Sequence, residues 1–204
     1  MLETSVQAAD FNNMLIGITG KYCAGKNHIA SLLEARGLPV LDVDKSGYKA
    51  LEMEKEKIFA RFGADLRRAD GSLDRRLLGR RVFGAPEKLA LLEEIVHPAA
   101  NRLTEEWIAA QNGCCVINAA LLHRSSVFHK IEKIIIVTSP FLIRVLRAKS
   151  RDKLAFREIL TRFARQKDFN SQYLSTNAEI YRVGNPGFFE SPEYKINKFL
   201  AGII

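Results

Sequence analysis

The chain has 204 residues and a mass of 23.0 kDa, and 47% of its residues are apolar and 26% charged. These values are typical of a globular protein with one α/β domain and an elaboration, and they exclude a fibrous or disordered chain. The 31 Lys and Arg residues exceed the 23 Asp and Glu residues and give a net charge of +8, which favours a polyanionic ligand. Because the basic residues form no dense run, we expect small phosphate esters as partners, and neither nucleic acid nor a membrane surface.

The cysteines and the N-terminal residues bear on the compartment. Cys23, Cys114 and Cys115 have the spacing of neither a disulfide framework nor a metal site. Residues 1–13 contain no apolar signal segment, and no stretch has the length of a membrane span. We therefore expect 1–13 to be a loosely held N-terminal extension and the protein to be cytoplasmic.

Residues 14–27, MLIGITGKYCAGKN, carry the strongest motif in the chain. A short apolar run predicts a buried parallel strand, and Gly20 and Gly25 then bracket four residues before Lys26. This is the G-x-x-x-x-G-K spacing of a phosphate loop, whose backbone amides and lysine hold nucleotide phosphates. A helix over 28–36 follows and points its positive end at the same anion. We expect ATP to contact Gly20, Lys21, Tyr22, Cys23, Ala24, Gly25, Lys26, Asn27 and His28.

Asn27 departs from the motif, which places Ser or Thr after the lysine to bind Mg²⁺. An amide oxygen is a hard ligand, so Asn27 is a candidate metal ligand. It could equally hold a metal-bound water, or take no part.

A second strand is predicted in PVLDVD, which ends in two acids, Asp42 and Asp44. In open α/β sheets, ligands gather at the carboxyl ends of the strands, so both acids are functional candidates facing the phosphate loop. The alternative is that one of them caps the next helix.

Helices follow over about 46–112. The first, over 46–62, is expected to bury Tyr48, Leu51, Ile58 and Phe59. Asp74 is expected to cap a helix that ends before Gly84 and Pro86, and 87–111 is predicted to be a helix pair or one helix kinked by Pro98.

Three further strands are predicted at 115–119, 133–138 and 179–183, and a final helix extends to 204. Between the last two strands lies an arginine-rich helical segment, in which most of the arginines are expected on a solvated face. Its arginines are Arg144, Arg147, Arg151, Arg157, Arg162 and Arg165.

Taken together, these motifs resemble those of the dephospho-coenzyme A kinases. The resemblance covers nearly all of the chain from residue 14, and its most specific part is the segment ADGSLDRR. It implies an α/β P-loop NTPase fold: a parallel five-stranded sheet core flanked by helices, a helical substrate-binding insertion at about 60–112 and a helical lid at about 140–170. It also implies ATP and Mg²⁺, and phosphorylation of the 3′-hydroxyl of dephospho-coenzyme A.

The resemblance also implies roles for individual residues. Lys26, Asp44 and Arg151 would be catalytic, with Arg144 and Arg147 as alternatives to Arg151. The substrate would contact Asp42, Asp44, His97 and Leu121, although His97 could instead be a structural residue beside Pro98. Asn185 and Pro186 would lie by the adenine of ATP.

Asn118 and Ala120 stand where the family commonly has Asp and Pro, and His123-Arg124 where it has Phe-Glu. Two positions expected near magnesium, 27 and 118, are therefore both asparagine. This leaves two alternatives open: a P-loop kinase for another small hydroxyl or nucleotide acceptor, and a nucleotide-binding protein that has lost turnover.

Overall fold

A computed structural model describes residues 14–152, 155–164, 166, 169–173, 176–187 and 191–203. The predicted extension at 1–13 and Arg165 lie outside these residues. The chain divides into two compact units: Leu41–Ala110 forms one, and the residues before and after it form the other.

The unit outside Leu41–Ala110 is built on a five-stranded sheet, with the strands in the order β2-β3-β1-β4-β5. All six residues of β1 are buried, because both faces of the sheet are covered, and the strand therefore has no polar alternation. β1 pairs in parallel with β3 and β4, and β4 with β5, as predicted. The strands are β1 Leu15–Gly20, β2 Val40–Asp42, β3 Cys115–Asn118, β4 Lys133–Thr138 and β5 Glu179–Gly184.

Eight α-helices accompany these strands in the described part of the chain. They are α1 Lys26–Glu34, α2 Val43–Met53, α3 Lys55–Phe62, α4 Arg75–Val82, α5 Pro86–Ala109, α6 Phe141–Asp152, α7 Phe156–Ala164 and α8 Glu193–Ala201. The predicted helix at 46–62 is thus two helices, and α5 is a single helix that contains Pro98, so the helix-pair alternative is wrong. No helix in the described ranges is long and apolar enough to cross a membrane.

One face of the sheet packs against α1 and α8. Ile18, Val137 and Val183 contribute the strand side of this core, and Ile29 and Leu33 the α1 side. The first turn of α1 is therefore fixed at the carboxyl end of β1, because the amphipathic face of the helix is buried along its length.

The helical unit has its own core, built from α2 to α5. Its buried residues include Ala50 of α2, and Ile58 and Phe59 of α3. The unit begins at Leu41, earlier than the 60 predicted for the insertion, because α2 contributes to this core. The prediction that Tyr48 is buried is wrong: its side chain is 55% exposed, and the guanidinium of Arg75 lies 4.7 Å from its ring.

Candidate nucleotide and phosphoryl-transfer site

The phosphate loop, residues 20–26, connects β1 to α1. Gly25 precedes α1 with a φ of 95°, and a β-carbon there would overlap the side-chain nitrogen of Asn185. Glycine is therefore required both by the backbone conformation and by the close approach of a neighbour. Cys23 also has a positive φ, 59°.

The amino end of α1 has the electrostatics of an anion site. The first turn contains no acidic residue, and no side-chain hydrogen bond caps the helix at Gly25. The partial positive charge of the helix end is thus available to a phosphate, and Lys26 adds a formal charge at the same turn. This geometry is what the glycine and lysine spacing predicted.

Asn185 and Arg147 support the loop from behind. Asn185 is buried, and its Nδ2 donates to the carbonyl oxygen of Ala24 at 3.1 Å. Arg147 Nη1 donates to the same carbonyl at 3.2 Å, and Nη2 donates to both oxygens of Asn185, at 3.2 and 3.3 Å. These bonds fix the backbone that presents the amides. Sequence reasoning placed Asn185 with Pro186 by the adenine and missed this supporting contact.

Two exposed arginines flank Tyr22 of the loop. Arg151 is 61% exposed, and its Nε donates to Asp152 at 2.7 Å. Its guanidinium lies 5.2 Å from the Tyr22 ring, and that of Arg162 lies 5.5 Å from it. The Tyr22 hydroxyl donates to Asp152. Arg151 is therefore next to the loop, as its predicted role requires.

Arg144, in contrast, is not on a solvated face. Its side chain is only 7% exposed, and its Nε donates to the Tyr22 carbonyl at 2.8 Å. Arg144 is therefore not among the arginines on a solvated face, because its guanidinium packs against the Phe163 ring at 4.3 Å.

The two asparagines at the positions expected near magnesium contact each other. Asn118, 2% exposed at the end of β3, donates from Nδ2 to Asn27 Oδ1 at 3.1 Å. Asn118 Oδ1 is buried and has no hydrogen-bond partner among the described residues. An orphaned amide oxygen beside the phosphate loop suits a metal or a metal-bound water, since hard cations prefer oxygen ligands. Within the described residues, no group of three His, Cys, Asp or Glu side chains offers another metal site.

The predicted substrate residues fall on both units. Asp42 caps α2 by accepting from the Lys45 amide at 3.2 Å, so the capping alternative is confirmed for it. Asp44 lies exposed in the first turn of α2, and His97 is exposed on α5 rather than packed in a core. Leu121 is exposed after β3 in the sheet unit.

A cavity of about 510 Å³ lies within the helical unit. Apolar side chains line most of it, together with Arg75 and Arg76, and the 75% exposed ring of Phe83 stands at its wall. Sequence reasoning missed this cavity. A detectable signal was the four-residue spacing of Arg75 and Gly79, which places them on one face of α4, with Phe83 directly after the helix.

The sheet order, the loop and the helix after it define a P-loop kinase. The sequence model of the dephospho-CoA kinase family matches residues 14–181. The dephospho-CoA kinase of Treponema pallidum is 34% identical over 198 residues, which cover 92% of this chain and 94% of the relative. The chain therefore belongs to the dephospho-CoA kinase family.

Solved structures agree with this assignment. A crystal structure of a Thermus thermophilus protein has a TM-score of 0.79 at 31% identity, covering 95% of this chain and 99% of the other. The dephospho-CoA kinase from Campylobacter jejuni has a TM-score of 0.70 at 23% identity, covering 94% and 97% of the two chains, and shows the same fold.

Proposed function

We propose that the chain transfers the γ-phosphoryl group of ATP to the ribose 3′-hydroxyl of dephospho-CoA, releasing ADP and CoA, and that Lys26, Asp44 and Arg151 carry the reaction. The observation on which this depends is the glycine-bounded loop at the end of β1, braced by Asn185 and Arg147, in a member of the dephospho-CoA kinase family. Phosphoryl transfer needs in-line positioning and neutralised charge more than covalent help.

The donor end of the reaction belongs to the loop. Its amides and the positive end of α1 hold the β- and γ-phosphates, and Lys26 neutralises charge that spreads onto the transferred group. Arg151, exposed and beside Tyr22, supplies a second charge. Its partner Asp152 is only 18% exposed but also accepts from the Tyr22 hydroxyl, so Asp152 keeps a hydrogen bond when Arg151 turns to a phosphate.

Asp44 would act on the acceptor hydroxyl. Its exposed carboxylate, in the first turn of α2, would accept or orient the proton of the 3′-hydroxyl. Asp42 fixes the start of the same helix through its cap and so sets the position of Asp44.

Mg²⁺ fits the amide pair of Asn27 and Asn118. When bound, the ion supplies charge neutralisation on the phosphates. Asn118 Oδ1 would accept from a metal-bound water, and Asn27 Oδ1 would bind the ion or a second water. Both donors are neutral, and this predicts weaker Mg²⁺ binding than a carboxylate would give.

The acceptor's extended arm would bind in the cavity of the helical unit. Its apolar lining suits an alkyl amide chain, and Arg75 and Arg76 suit a diphosphate. On this proposal, the predicted insertion at about 60–112 binds the acceptor and the predicted lid at about 140–170 supplies Arg151. A cytoplasmic location is supported by three cysteines that are buried and unpaired.

A coupled assay of ADP release with dephospho-CoA and Mg-ATP tests the proposal. Asp44→Asn should lower kcat by at least about a hundredfold with the affinity for ATP unchanged, because only proton acceptance is lost. Glu87→Gln is the matched control, since Glu87 is an exposed acid in the first turn of α5. Folded wild-type protein without turnover, or Asp44→Asn with wild-type kcat, would contradict the assigned chemistry.

A further inference from the structure

The sheet unit contains a second, smaller cavity, of about 190 Å³. Three cationic side chains, Lys21, Arg144 and Arg182, line it together with the hydroxyl residues Thr138 and Ser139. No carboxylate is among the lining residues that the structure describes. The cavity is therefore strongly positive and is large enough for an oxyanion.

Arg144 is the buried member of these three cationic residues. Its Nε is bonded to the Tyr22 carbonyl and its plane is stacked on Phe163, so the guanidinium is held in one orientation. Its Nη2 is buried and has no hydrogen-bond partner among the described residues. A guanidinium stays protonated at neutral pH, and Arg144 lines the cavity, so a charged donor without a hydrogen-bond partner lies beside it. Buried donors in native structures are normally satisfied, and a bound anion would satisfy this one.

The cavity lies on the sheet face opposite α1. Ile136 and Arg182 are register partners on β4 and β5, so their side chains share one face of the sheet. Val137 and Val183, the next residue of each strand, are on the other face, in the core with α1 and α8. The amino end of α1, where the loop would hold nucleotide phosphates, is on that other side. Of loop residues 20–26, all of which the structure describes, only Lys21 lines the cavity, so the two anion positions share Lys21 and differ in their other residues.

We propose that this cavity binds a phosphate group, either free inorganic phosphate or the phosphate of a nucleotide ligand, through Arg144, Arg182 and Lys21. Arg144 Nη2 donates to the anion while its Nε continues to hold the Tyr22 carbonyl, so occupancy stiffens the phosphate loop. The inference uses only the sheet unit and does not depend on the acceptor proposed above.

The test is calorimetric titration of inorganic phosphate into the protein saturated with ADP and Mg²⁺, which fill the loop. We expect one phosphate per chain. Arg144→Gln should weaken binding at least about tenfold, because a charge-assisted hydrogen bond is lost. Arg182→Gln and Lys21→Gln should each weaken it about threefold. Arg182 is exposed and Lys21 is partly exposed, so these two variants test the site even if Arg144→Gln fails to fold. Arg157→Gln, on the exposed side of α7, is the charge-matched control and should bind phosphate normally.

Absence of phosphate binding while ADP fills the loop would overturn the proposal, as would binding that is unchanged by both Arg182→Gln and Lys21→Gln. Repeating the titration with saturating dephospho-CoA distinguishes the sources. Phosphate that dephospho-CoA displaces, with a raised KM for dephospho-CoA in Arg182→Gln, identifies a ligand-borne phosphate group. Phosphate that still binds identifies the free anion.

Discussion

Gly25→Ala is the substitution whose effect on nucleotide binding follows most directly from the geometry. The backbone at Gly25 has a φ of 95°, and a β-carbon would overlap Asn185 Nδ2 and lie 3.2 Å from its Cγ. Asn185 is buried, so its side chain has to give up its present hydrogen bonds to move. The substitution therefore combines backbone strain with displacement of the loop's support.

The cost has two parts. A left-handed conformation costs a non-glycine residue about 1–2 kcal/mol. Displacing Asn185 loses its bond to the Ala24 carbonyl and the bond it accepts from Arg147, at about 1 kcal/mol each. The total of about 3–4 kcal/mol corresponds to a rise of about a hundredfold to a thousandfold in the Kd for ADP.

Calorimetric titration with ADP measures the rise in Kd. The variant Asn185→Ala separates the cost of the lost hydrogen bonds from the cost of backbone strain. Alone, Asn185→Ala should cost about 2 kcal/mol, or about thirtyfold in Kd. In the Gly25→Ala background it should cost almost nothing, because those bonds are already broken. A Gly25→Ala protein that binds ADP within about threefold of wild type, or additive effects in the double variant, would refute this reasoning.

Three further predictions concern other groups. Burial, with the adjacent Arg124, lowers the pKa of His123, so the unfolded chain binds the proton first and the free energy of unfolding falls as pH drops below about 6.5. Between pH 8 and 5, the urea midpoint should therefore depend less on pH in His123→Gln than in wild type. The exposed-site control His129→Gln should keep the wild-type pH dependence. Burial raises the pKa of Cys115 to about 11, so at pH 8 iodoacetamide should label it only after unfolding, and labelling of the folded protein at the unfolded rate would contradict its buried position. Asn118→Asp should tighten Mg²⁺ binding to the ADP complex about tenfold by adding a carboxylate, whereas Asn118→Leu should weaken it, and unchanged affinity in both would exclude Asn118 from the metal site.

The strands and caps were predictable because they depend on local chemistry. β4 has the predicted bounds, Lys133–Thr138, since a β-branched apolar run between polar residues has few other solutions. Asp74 caps α4 as predicted, through the Leu77 amide at 2.9 Å. The phosphate loop was predictable for the same reason: its glycine spacing encodes its backbone.

The features that the sequence did not predict depend on contacts between residues distant in sequence. The burial of Arg144 arises from Tyr22, 122 positions away, and from stacking on Phe163. The exposed Tyr48 lines a cavity that forms where α2, α4 and α5 come together. The bond between Asn27 and Asn118 joins residues 91 positions apart. Helical or strand periodicity carries no information about any of these.

Tyr22 connects the phosphate loop to α6, to α7 and to Gln166, which lies two positions after α7. Its carbonyl accepts from Arg144, its amide donates to Gln166 at 2.7 Å, and its hydroxyl donates to Asp152. The guanidinium groups of Arg151 and Arg162 lie 5.2 and 5.5 Å from its ring. A shift of α6 or α7 must therefore break these contacts or move the loop backbone. Because one residue makes all of these contacts, the loop backbone is coupled to the helices that carry Arg151 and Arg162. On the proposed function, this coupling would help to align Arg151 with the phosphates that the loop holds, as phosphoryl transfer requires.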